Sequence, residues 1–109
     1  MIRIGIYQGR LTDSKVLQKY PKNWIKEFKI AKKIGYDHIE IFLEEKKNMN
    51  NPFWKKNTKL INSLNKMNNK KLIICDNFII RNSILKKKNF EYVKKIIDIA
   101  SNYPNPKII

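Results

Sequence analysis

Apolar and polar positions change period along this chain in a regular order. Ile2, Ile4 and Ile6 alternate with Arg3, Gly5 and Tyr7, the period-2 pattern of a strand with two unlike faces. The stretch from Gln8 to Lys22 is polar and long for a strand–helix connection, which marks it as a candidate functional loop. Asn23 is then the expected N-cap of a first helix. In it Trp24, Phe28, Ala31 and Ile34 lie near one face, with Lys26, Lys29, Lys32 and Lys33 mostly elsewhere. Gly35 is the expected stop, because the residue after a helix often needs positive φ.

Strand two is predicted over Tyr36–Phe42, followed by a polar loop from Glu44 to Asn57 that contains Pro52, Phe53 and Trp54. A second helix carries Leu60, Ile61, Leu64 and Met67 on one face and ends at Asn68-Asn69. Leu72–Cys75 is a short apolar run of the kind buried on both sides in a parallel sheet. Past a loop through Asp76, Asn77 and Arg81, a third helix is predicted from Asn89, as cap, to Ser101, with Phe90, Val93, Ile96, Ile97 and Ala100 inward. Pro104 and Pro106 punctuate, and Lys107-Ile108-Ile109 open a fourth strand.

Strands therefore start near positions 2, 37, 72 and 107, a recurrence of about 35 residues that a strand, a crossover helix and two loops occupy. Such units give right-handed crossovers and a parallel α/β sheet. An open doubly wound sheet and a (β/α)₈ barrel share this order. Strand two puts Ile39 and Ile41 on one face and His38, Glu40 and Phe42 on the other, and strand one is equally lopsided. One aliphatic and one mixed face suit a barrel, whose strands meet helices outside and line the lumen inside. Gln8-Gly9-Arg10-Leu11 lacks the further glycines of a phosphate-binding turn. A full barrel takes about 250 residues, so the 109 residues here are expected to form its N-terminal half, with the chain stopping at the fourth strand.

Charge changes this picture less than its size suggests. Lys and Arg number 24 against 9 Asp and Glu, a net charge of +15, which raises a small basic nucleic-acid-binding module as the alternative. Arg occurs only at Arg3, Arg10 and Arg81, whereas phosphate and base recognition favours the bidentate guanidinium. Abundant Ile and Asn beside Lys point to coding bias as the source of the charge. Cys75 is the single cysteine, so no intrachain disulfide forms and a reducing, cytoplasmic setting is expected. The chain enters a strand at once, so no signal peptide is expected, and no apolar run approaches a membrane span.

Several stretches together resemble the sugar phosphate isomerase/epimerase family of the xylose-isomerase-like barrels. They are Ile4-Gly5-Ile6-Tyr7-Gln8-Gly9-Arg10-Leu11, Trp24 with Glu27-Phe28, and the run from Ala31 to Glu40, with Asn51-Pro52 and Ile74-Cys75-Asp76 adding to it. The resemblance implies a (β/α)₈ barrel that interconverts sugars or sugar phosphates by moving protons next to a carbonyl. It also implies a divalent metal (Mn, Mg, Zn or Co) held by Glu, Asp, His and Glu of later strands, outside this chain. The apurinic endonuclease branch of the same superfamily fits less well, since it uses histidines at strand ends and the sole histidine, His38, comes early in strand two.

The substrate-binding candidates are Gln8, Arg10, Glu40 and Asp76. Glu40 lies near the C-terminal end of strand two, where barrel active sites form; the plainer alternative is an internal ion pair, for instance with Arg3. Arg10 suits a phosphate or carboxylate and Gln8 suits hydroxyls; as loop braces, Arg10 would instead pair with Asp13 or Glu40. Asp76 follows strand three, where an Asx-turn or capping role competes. Cys75 and His38 are expected in the core, Trp24 and Trp54 as anchors, although Trp54 beside Phe53 could floor a sugar site. A half-barrel would leave two sheet edges and apolar helix flanks open to self-association.

Overall fold

The computed structural model describes residues 2–12, 20–44, 46–75, 81–103 and 106–108. The elements run β1 (Gly5–Tyr7), α1 (Trp24–Ile34), β2 (His38–Phe42), α2 (Pro52–Lys55), α3 (Thr58–Met67), β3 (Ile73–Cys75), α4 (Lys87–Ala100) and β4 (Lys107–Ile108). The four strands form one sheet in the order β1-β2-β3-β4, every neighbour pair parallel. Strand order thus follows chain order without reversal, and the chain is an α/β fold as the alternating pattern predicts.

Burial follows the two-faced strands. Ile39, Ile41 and Ile74 are almost wholly buried in one apolar cluster with Trp24, Phe28 and Ala31 of α1, Phe53 and Trp54 of α2, Leu64 of α3, and Ile96 and Ala100 of α4. Trp24 packs edge-on against Tyr20 and Phe28, with ring centroids 6.3 and 6.0 Å away. The helices therefore cover the aliphatic face. On the other face His38, Glu40, Phe42 and Ile73 are only half-buried, and Tyr7 is 47 % exposed.

Several boundaries differ from the expectation, each for a local reason. β1 is shorter, because β2 begins opposite Gly5 and the last backbone bond before it joins the Asp37 N–H to the Ile4 carbonyl. Ile2 and Ile4 consequently stay exposed, and only Ile6 reaches the core. Helix α2 replaces part of the expected Glu44–Asn57 loop: the Asn51 side chain accepts the Phe53 N–H while Pro52 occupies the first turn. Asn57 then caps α3 through the Lys59 and Leu60 N–H groups. Asn23 takes the N-cap position of α1 without a side-chain bond, and Gly35 ends the helix at φ 101° as expected.

Helix α4 turns Val93, Ile96 and Ala100 inward as predicted, but not Phe90 and Ile97. Its inward stripe is Asn89, Val93, Ile96 and Ala100, and Phe90 and Ile97 are half-exposed instead of buried. The Asn89 amide, on the inward face, donates to the Ser83 carbonyl at 2.6 Å. Among the described residues no helix is long and apolar enough to cross a membrane.

Candidate functional site

The mixed face of the sheet brings together the titratable groups of three strands. Register places Tyr7 beside Glu40 and Phe42 beside Cys75, so alternation sends Tyr7, His38, Glu40 and Cys75 to the same side. The Cys75 thiol donates to Glu40 Oε2 at 3.1 Å. His38 Nε2 lies 3.8 Å from Glu40 Oε1, and the opposite ring nitrogen, Nδ1, meets Asp37 Oδ2 at 2.9 Å. Lys71 pairs with that same Asp37 oxygen. A line of polar contacts thus runs from Lys71 at the start of the sheet to Cys75 at the strand ends.

Electrostatics follow the same line. Cys75 beside it, first through the charge its sulfur carries when ionised and then through a hydrogen bond, holds the Tyr7 hydroxyl above its ordinary range, with slight burial and Glu40 adding to the effect. Asp37 is held below the usual carboxylate range, first by the Lys71 hydrogen bond and then by that of His38. Glu40 accordingly has a thiol on one oxygen, an imidazole edge near the other, and a half-exposed phenol alongside. Comparison with protein-family models, with curated proteins and with solved structures found no match to this chain.

The sequence candidates fare differently from one another. Glu40 sits at the centre of the cluster, where its partners are Cys75 and His38; no ion pair joins it to Arg3 among the described residues. Arg10 is exposed just beyond β1 and forms no ion pair with Glu40. Gln8 is buried at 2 % exposure, its amide donating to the Phe42 carbonyl at 2.9 Å and accepting the Phe42 N–H at 2.6 Å. Asp76 lies outside the described residues, as does Asp13. Cys75 is buried as expected, but it also bonds Glu40. Phe53 and Trp54 both lie in the core beneath the helices, away from the mixed face.

Four buried polar residues hold the segments around the sheet through partners that the sequence reading did not assign. Glu27, 1 % exposed on α1, accepts the Leu11 N–H at 3.2 Å and so anchors the loop after β1. Burial raises its carboxyl, opposed by the backbone N–H groups of Leu11, Gly9 and Arg10. Glu44 gathers the next loop: Oε1 accepts from the Tyr20 N–H and the Asn48 amide, and Oε2 from the Asn51 amide. Asn68 accepts the Ile39 N–H at 2.6 Å and donates to the Ile39 and Lys71 carbonyls, acting as a sheet partner before β3 begins. Only Asn51-Pro52 carried a usable signal, a cap followed by Pro at the first helical position. Among the described residues no three of His, Cys, Asp or Glu are placed to hold a metal ion.

Proposed function

We propose that this chain supplies the first half of a (β/α)₈ barrel of the sugar or sugar-phosphate isomerase and epimerase class, with Glu40 as its proton-transfer group. Sequential parallel strands with helices packed on one face support the barrel half, since doubly wound sheets cover both faces and reverse strand order. The observation that carries the functional reading is Glu40 itself. It stands near the C-terminal ends of the strands on the uncovered face, with a thiol on Oε2 and an imidazole near Oε1.

Moving a proton next to a carbonyl needs a positioned base and a donor for the developing oxyanion. Glu40 serves as the base. Cys75 and His38 orient it, and the half-exposed Tyr7 hydroxyl turns from its hydrogen bond with Cys75 to donate to a substrate oxygen. Arg10 reaches over the rim for a phosphate group, and Gln8 fixes the ends of β1 and β2 through Phe42. The divalent metal of the family resemblance has no seat among the described residues, so these roles are those of the chain's own side chains. A cytoplasmic setting, where a lone thiol stays reduced, goes with this reading.

Titrating the chain with ketoses and ketose phosphates, followed by heteronuclear NMR, tests it. Saturable shifts at Tyr7, Glu40 and Cys75 are expected, weakened about tenfold or more in Glu40→Gln by loss of a charged hydrogen-bond acceptor. Shifts that avoid these residues, or binding unchanged in the variant, would sink the proposal. With Mn²⁺ and a ketose panel the chain alone is expected to give no turnover, because four strands carry only part of a barrel rim.

A further inference from the structure

The helix side of the sheet carries a second recess, remote from Glu40 and unused by the reading above. An open cleft of about 520 Å³ lies between α2–α3 and the end of α4. Ile61 and Ile99 give it apolar walls, Trp54 and Tyr103 line it, and Lys95 and Asp98 bring opposite charges to it. Trp54 and Tyr103 are 6 % and 8 % exposed. Among the described residues, neither the Trp54 indole N–H nor the Tyr103 hydroxyl has a hydrogen-bond partner.

That pairing of features needs a cause. Buried polar groups are nearly always satisfied, and each unmet donor costs stability. The two residues that carry them line one cleft, and the Lys95 ammonium lies 4.3 Å from the centroid of the Trp54 ring. Burial also lifts the Tyr103 hydroxyl far above its ordinary range, so it remains a donor at any physiological pH. The missing chemistry is therefore an acceptor, carried by something with an apolar body that tolerates a neighbouring cation. A bare polyol would waste the Ile61 and Ile99 walls, and an ammonium group would offer the two donors no acceptor.

We propose that this cleft binds a small aromatic carboxylate whose oxygens accept from Trp54 Nε1–H and Tyr103 O–H while Lys95 balances its charge. Both donor atoms are covered by protein, so binding turns the two rings toward the ligand, an induced fit confined to the cleft. The site is independent of the isomerase reading and stands or falls alone.

Benzoate is the probe, with benzyl alcohol and benzylamine as its neutral and cationic counterparts. The chain has two tryptophans, so Trp54→Phe assigns the Trp54 indole N–H signal by its disappearance. Expected is a saturable shift of that signal with benzoate, and binding of the alcohol and amine roughly tenfold weaker or worse. Tyr103→Phe, which deletes an unpaired hydroxyl and keeps the ring, and Lys95→Gln at the rim should each weaken benzoate by about tenfold. An indole signal that ignores benzoate, benzylamine binding as well as benzoate, or both variants binding like the unaltered chain would overturn the proposal.

Discussion

Gly5 leaves the space that the His38 ring occupies: a Cβ at Gly5 would fall 2.3 Å from His38 Nε2 and 2.7 Å from Cε1. The two residues are register partners across β1 and β2. His38 can therefore lie flat against β1, with Asp37 at one ring nitrogen and Glu40 near the other. Glycine is needed here for space.

Gly5→Ala should accordingly displace the imidazole and destabilise the chain by about 1–3 kcal/mol, the usual cost of overpacking. His38→Ala should remove most of that penalty in the double variant. Urea unfolding of the four proteins in a double-mutant cycle measures it, and additive effects would show that the ring is not what Gly5 accommodates.

Asn68 stands in for a missing strand residue beside Ile39. Asn68→Ala would leave the Ile39 N–H and carbonyl unpaired under the core, at a cost of about 2–3 kcal/mol. Asn68→Asp keeps an acceptor but loses the donor, so it should also be less stable than the parent. A midpoint in urea unchanged for the alanine variant would contradict this role.

Acid stability should depend on Asp37. Its folded value lies below the ordinary 3.8, through Lys71 first and His38 second. The sign follows from linkage: the contribution is present above 3.8 and disappears as pH falls through the lower folded value. Asp37→Asn should flatten the loss of stability below pH 4, by little, since the carboxylate is still open enough to water for its ion pair to be screened. Chemical denaturation between about pH 2 and 6 reads the difference.

Glu27 should show the opposite slope. Its folded value is raised above 4.5 by burial, so the folded state binds the proton more tightly and stability falls as pH rises from 4.5 through that value. Glu27→Gln keeps an oxygen for the Leu11 N–H without a buried charge and should be as stable as the parent at pH 7, or more so. Glu27→Ala, which strands that N–H, should lose about 1–3 kcal/mol. Thermal unfolding of both at pH 7 checks the order.

The exposed sheet edges carry their own expectation. β1 and β4 are the outer strands, and Ile2, Ile4, Phe90 and Ile97 remain exposed. Sedimentation should show concentration-dependent self-association, favoured by salt because it screens a net charge of +15. A monomer at every concentration and salt level would refute it.

The periodicity of the sequence was enough to determine the alternation of strands and helices, the two unlike faces of β2, the stop at Gly35 and the placing of Glu40 on the mixed face. Those follow from local rules: side chains alternate along a strand, apolar residues recur every three or four along a helix, and glycine tolerates positive φ. What the tertiary structure decided are matters of partnership between residues that the fold brings together. In α4, Phe90 and Ile97 went outward though their spacing pointed in, while Asn89 went inward with its amide on the Ser83 carbonyl. Gln8 found its partner in the Phe42 backbone, and Cys75 found Glu40, because parallel register carries residues some 35 positions apart into contact. The burial of Glu27, Glu44 and Asn68 was hidden for the same reason. A polar side chain is buried only when the backbone groups that satisfy it arrive from elsewhere in the chain, and no local pattern records their arrival.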